Sequence, residues 1–294
     1  MKNIFISIFS FLLIVMSSSC AEENLGTSGI DTSSPHRTEF DNWLLENYVK
    51  GYNIDFRYYL DDIQSDMKYN LVPADLDKSQ KLAKIVKYLW LEAYDEAFDA
   101  TGNNKEFMRK NAPKMIQLIG CPAVNPSNGT AVLGTAEGGI KVVLYNVNAV
   151  NPTDVALLNK YYFHTMHHEF VHILHQIKVI PVEFKTITPV DYSPTGWQNR
   201  KTLQALKLGF ITPYASNEPQ EDFAEIISSY LIMSDVAWTN ALTDAASDGA
   251  DGAVKINRKL EMAKNWLKAS WNIDIEQLRS IIAKRSANIG NILN

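Results

Sequence analysis

Cysteine is scarce in this chain, with only Cys20 and Cys121 in 294 residues. A fold of this size therefore rests on its apolar core, which a hydrophobic content of 46% can supply without disulfide staples. A basic excess is also missing: 28 Lys and Arg stand against 33 Asp and Glu, for a net charge of -5. That balance excludes a nucleic-acid groove. Long hydrophobic runs are absent apart from Ile4 to Met16, which is too short to span a bilayer comfortably. No internal repeat and no second linker interrupts the chain after about residue 38.

The N-terminus reads as a processing segment. A lysine at position 2 and the apolar run lead into Ser17, Ser18, Ser19 and Cys20, the layout of a secretory signal. The serines before Cys20 resemble the lipobox of bacterial lipoproteins, although serine stands where leucine is commoner. Ala21-Glu22-Glu23-Asn24 is similar to the acidic export signal of Bacteroidetes-type surface lipoproteins. The resemblance implies a lipoprotein signal peptide over residues 1–19 and membrane attachment through lipid on Cys20. It also implies an outer-membrane location, displayed at the cell surface or facing the periplasm. Residues 20–38 are polar and rich in Ser, Thr and Gly, which suits a flexible tether. The folded domain is expected over residues 39–294.

Hydrophobic periodicity is clearest from Asp77 to Gly102. Leu82, Ile85, Val86, Leu89, Ala93 and Ala97 form an apolar stripe, Asp77 with Gln80 makes a capping-box pattern, and Gly102 closes the helix. Gly138 to Val150 is β-branched and predicts a strand, with weaker strand candidates in "NIDFRYYL" and "KMIQLIG". A helix is expected from about Thr153, with a second helix over "NEPQEDFAEIISSYLIM" and more helix in the last forty residues. The expected class is α+β: a small mixed sheet, one motif-bearing helix and a helical C-terminal part.

What the sequence has in abundance is local. Five of its six histidines fall between positions 164 and 175. His168-Glu169-Phe170-Val171-His172 is H-E-x-x-H, and residues four apart on a helix share a face, so both imidazoles can meet one ion. Glu169 projects about 100° round the helix, beside the ion rather than on it, where a base for a metal-activated water is needed. Phe170, Val171, Ile173 and Leu174 supply the apolar frame of a buried helix. His164 and His175 share the arc of the two motif histidines and are expected to line a cleft or the core; His167 lies off that arc. A metzincin continuation is excluded because position 175 is His rather than Gly, and position 178 is Lys.

The third ligand then comes from elsewhere. Glu221 and Glu225 in "EDFAE" are four apart on one helix face, opposite Phe223, Ile226, Ile227 and Tyr230. Two neutral histidines and one carboxylate leave tetrahedral Zn2+ an open position, the catalytic arrangement. H-E-x-x-H followed by E-x-x-x-E resembles the gluzincin pattern. That resemblance implies a zincin-like domain in which Glu221 binds zinc and Glu225 orients a ligand histidine. The spacer after His172 is longer than in thermolysin-like members, so Glu218, Asp222 and Glu225 stay open as alternative ligands.

The wider context of "MHHEFVHILHQ" and "TPYASNEPQEDFAE" resembles zinc metallopeptidase lipoproteins of Bacteroidetes-type bacteria. The resemblance implies association with an outer-membrane import system that pairs a TonB-dependent transporter with a substrate-binding lipoprotein. The expected activity is zinc-dependent hydrolysis of a peptide or protein substrate, with Glu169 moving the proton. Tyr214 is the candidate donor to the oxyanion. Tyr192 and Trp197 fit either a specificity wall or loop anchors. Two other readings compete: a non-catalytic lipid-anchored subunit with a structural or vestigial zinc, and a zinc hydrolase of amide bonds in cell-wall or glycan-linked material.

Overall fold

The computed structural model describes residues 36–60, 68–126, 131–132, 134–137 and 140–293. The expected signal peptide, Cys20 and most of the tether lie outside the described residues. Glu39–Asn294 is one contact-defined unit.

Its sheet is small. Strands β1 (Asp55–Arg57), β2 (Met115–Leu118) and β6 (Lys141–Leu144) pair in parallel, and β5 (Gly134–Glu137) adds an antiparallel edge in the order β1-β2-β6-β5. Strands β3 (Ala123–Val124) and β4 (Ala131–Val132) form a separate two-stranded ribbon. The alternation of strand side chains explains the two faces of the sheet. Phe56, Ile116, Leu118, Val142 and Leu144 enter the main helical core. Ile119, Val143 and Tyr145 point the other way, into a smaller cluster with Ala123, Leu60, Tyr69 and Leu71. The parallel pairing of β1 with β2 needs a long crossover, which residues 76–111 supply with three helical segments.

The first crossover helix begins at Leu76–Val86, and its cap is Asp75, which accepts from Lys78 N, rather than Asp77. A π turn over Lys87–Leu91 leads into Glu92–Phe98, so the helix ends before Gly102, which instead takes a left-handed φ of 64° in the following turn. The expected strand from Gly138 is shorter than its β-branched composition suggests. It stops at Leu144, because Asn146 turns left-handed and Val147–Ala149 winds into a 3-10 turn.

Helices dominate the C-terminal half: Thr202–Leu208, Pro219–Ile232, Asp235–Ala245, Gly252–Trp271 and Ile275–Ala287. The domain is therefore α+β, as expected. Phe223 packs edge-on against Phe184 and Trp266, with centroids 5.0 and 5.1 Å apart, which seats Pro219–Ile232 at the centre of this half. Among the described residues no helix is long and apolar enough to cross a membrane.

Candidate metal centre

The histidines sit on a helix that starts well before them. Asp154 caps it by accepting from Leu157 N at 3.0 Å. Val155–Leu158 then passes through a π turn, Asn159–Phe163, in which the His164 N–H reaches back to Asn159 O, and continues as His164–Ile177. The inserted residue rotates everything downstream by roughly 100°. Tyr162, Phe163, Met166 and Phe170 are thereby buried in the core, while His164, His168 and His172 face Pro219–Ile232. His167 faces the other way, fully buried with Nδ1 3.0 Å from the Tyr94 hydroxyl, and burial pulls its pKa down to about 3. It is a neutral core histidine.

Pro219 opens the facing helix, an N1 position that suits proline's fixed φ, with Glu221 and Asp222 in the first turn where the helix dipole favours carboxylates. Three side-chain atoms then converge. His168 Nε2 lies 2.9 Å from Glu221 Oε2, His172 Nε2 lies 3.2 Å from the same oxygen, and the two nitrogens are 2.9 Å apart. His168, His172 and Glu221 are the group that could hold a metal ion among the described residues. The other acids considered from sequence go elsewhere. Glu218 is the exposed residue before the helix, Asp222 is buried against Lys259, and Glu225 lies behind His168.

Glu225 serves several partners at once. Its Oε1 is 2.7 Å from His168 Nδ1 and 3.4 Å from His164 Nε2, while Oε2 accepts from Thr212 Oγ1 at 2.6 Å. Thr212 in turn accepts from Ala215 N, which ties the carboxylate to the short helix Tyr214–Ser216. On that turn the Tyr214 ring lies 5.8 Å from His168, within the field of Glu221. Trp197 packs edge-on behind it at 4.8 Å. Behind His172, its Nδ1 faces His175 Nε2 at 2.7 Å.

Comparison with known proteins agrees with this geometry. Residues 33–276 match a family model described as "putative zinc-binding metallo-peptidase". The chain belongs to this family. A crystal structure of a putative zinc-binding metallo-peptidase from Bacteroides caccae is 48% identical, with a TM-score of 0.76, covering 90% of this chain and 97% of that one. No protein with curated annotation matches.

The donor set of this metallopeptidase suits zinc on its own terms. With protons on the nitrogens that face Glu225 and His175, His168 Nδ1 and His172 Nδ1, both Nε2 atoms would be lone pairs. Two imidazole lone pairs and a carboxylate oxygen then meet within 3.2 Å with no donor between them. Three acceptors so placed repel unless a proton or a metal cation sits among them. Zinc bonds of about 2.0–2.2 Å to nitrogen and oxygen span edges only slightly longer than these. The electrostatics agree. Burial would pull the His168 imidazole down, but hydrogen bonds to Glu221 and Glu225 outweigh it and lift its pKa to about 10. Both carboxylates sit below their usual range despite burial, held there by the histidines. The pocket favours positive charge.

Glu169 is half-buried beside the triad. Burial raises its pKa, opposed by the two histidines and reinforced by Glu221 and Glu225, which makes it a stronger base than an exposed glutamate. Burial, followed by the field of Glu221, raises the Tyr214 hydroxyl, which therefore stays a proton donor at neutral pH.

Several residues escaped sequence reasoning. Thr212 carried no signal, since a loop threonine seven residues before a helix has no periodicity to place it. His175, expected to line a cleft or the core, is half-buried, and its bond to His172 is the part that the sequence did not show. Lys259 is fully buried, with Nζ 2.6 Å from Asp222 Oδ2, 2.8 Å from Gly209 O and 4.0 Å from the Phe210 ring centre. Gly209 presents that carbonyl from a left-handed φ of 96° that only glycine adopts readily. Tyr192 anchors the preceding loop by donating to Asp222 Oδ2 at 2.8 Å.

Proposed function

We propose that this zinc metallopeptidase cleaves peptide bonds at the His168, His172 and Glu221 triad. The observation that supports the reading is the convergence of three acceptor atoms within 3.2 Å on two facing helices, with Glu169 beside them. Zinc bound by those three side chains supplies Lewis acidity for water and for the scissile carbonyl. Glu169 takes the proton from the attacking water and passes it to the leaving amine. Tyr214 directs its hydroxyl toward the developing oxyanion, and Trp197 holds the ring in place. Glu225 keeps the His168 proton on Nδ1 and, through Thr212, keeps Tyr214 in register with the triad.

Elemental analysis of the purified domain tests the metal assignment: near one zinc per chain in wild type, and a large loss in Glu221→Ala. A Glu169→Gln protein is expected to keep its zinc and lose hydrolysis by about 10²–10⁴-fold. A folded wild type that takes up no zinc, or a Glu169→Gln protein that cleaves at the wild-type rate, would place the chain among non-catalytic binding subunits.

The same proposal places the enzyme on the outer membrane through lipid on Cys20, working beside a TonB-dependent transporter and its substrate-binding lipoprotein. The serine-rich segment before Cys20 and the acidic residues after it support this. Labelling with a palmitate analogue, lost in Cys20→Ala, and co-purification with the transporter test the two parts separately.

A further inference from the structure

The two imidazoles of the triad are braced differently. The outward nitrogen of His168 faces a carboxylate, Glu225 Oε1 at 2.7 Å. The equivalent nitrogen of His172 faces another imidazole, His175 Nε2, also at 2.7 Å. Their ring centroids are 5.0 Å apart with planes at 76°, an edge-on approach that aims nitrogen at nitrogen instead of stacking the rings. Both residues are half-buried, so water competes only partly for this bond.

We propose that His175 is a positioning residue for the metal, accepting the Nδ1 proton of His172 and so fixing the tautomer that presents Nε2 to zinc. The inference rests on the reading of His168, His172 and Glu221 as the zinc ligands. Its local logic is helical: residues three apart share a face, so this one helix carries both the ligand and the ligand's brace. The choice of a neutral acceptor also has an electrostatic consequence. Glu169, Glu221 and Glu225 already set three carboxylates around the zinc position, and a fourth behind His172 would make the site more negative and its metal a weaker Lewis acid.

The test compares wild type with His175→Ala, His175→Phe and His175→Gln. Zinc affinity is measured by competition with a chromophoric chelator, and the imidazole protons of the zinc-loaded proteins are observed by NMR. Loss of an outer-shell partner weakens metal binding by about 10–100-fold, and that loss is expected for Ala and for Phe. Gln, whose amide oxygen can accept the same proton, is expected to stay within a few-fold of wild type. The His172 Nδ1 proton exchanges slowly in wild type and Gln, and disappears from the spectrum in Ala and Phe. Thermal unfolding of the chelated variants controls for folding, because a packing role alone would leave Gln and Ala equally impaired. Equal affinities in all four proteins, or equal losses in Gln and Ala, overturn the assignment of His175 while leaving the triad intact. A wild type that binds no zinc overturns the triad and this inference together.

Discussion

Replacing Lys259 with methionine removes a charge from the interior while nearly preserving its volume. Lys259 and Asp222 are both fully buried and 2.6 Å apart, and the ammonium also satisfies Gly209 O and faces the Phe210 ring. Breaking a buried pair from one side typically costs about 3–5 kcal/mol, because the abandoned charge stays desolvated. The upper half of that range applies here, since the Gly209 carbonyl loses its donor in the same step. Such a loss is a large share of the total stability of an ordinary domain, about 5–15 kcal/mol.

The penalty depends on pH, with a definite sign. Burial already raises Asp222 to about 6 despite the opposing pull of Lys259, and without that lysine it rises further. A carboxyl whose folded pKa lies above its unfolded value takes up its proton first in the folded state, so stability recovers as pH falls through the folded pKa. Urea unfolding of chelated wild type and Lys259→Met at about pH 7.5 and about pH 5.5 therefore reads a difference that shrinks on acidification. The double variant Lys259→Met with Asp222→Asn recovers most of the loss, having no charge left to strand. A loss below about 1 kcal/mol at the higher pH, or one indifferent to pH, would mean that water reaches the pair and that the argument from burial is wrong.

Three further outcomes follow from the same contacts. Glu225→Gln keeps the shape behind His168 but removes its charge, so zinc affinity falls about 10–100-fold, read by chelator competition; unchanged affinity would refute its role. Tyr214→Phe keeps the ring against Trp197 and removes the donor, so kcat falls about 10²–10³-fold with zinc content unchanged. A loss of zinc instead of rate would make Tyr214 part of the metal shell. Asp95 is buried, accepts from the Tyr52 hydroxyl at 2.7 Å, and burial raises its pKa to about 6. Asp95→Asn therefore stabilises the protein by about 1–3 kcal/mol at neutral pH. That gain fades as pH falls through 6 and wild type takes up its proton, which denaturant titrations at several pH values can follow.

Much of this protein was legible in one dimension, wherever the physics is local. Spacing of four along a helix put His168 and His172 on one face, and the same arithmetic set His167 apart, because helical phase depends only on residue count. The Glu221 and Glu225 pair declared a second polar face by the same rule. The α+β class followed from where the period changes from 3.6 to 2. Boundaries were less legible. Asp75 rather than Asp77 caps the first crossover helix, and the strand ends at Leu144, because a cap or a stop depends on which residue leaves the regular backbone, and several candidates stood side by side.

Tertiary structure alone decided which acid meets the histidines. Glu218, Glu221, Asp222 and Glu225 lie within eight positions, and only the angle at which one helix faces the other brings Glu221 Oε2 to both imidazoles, Asp222 to a lysine 37 residues on, and Glu225 behind His168. The roles of Thr212 and Lys259 were likewise invisible in the sequence. A hydrogen bond between residues distant in the chain leaves no periodic trace, and a buried lysine in an amphipathic helix reads like any solvated one until its surroundings are assembled.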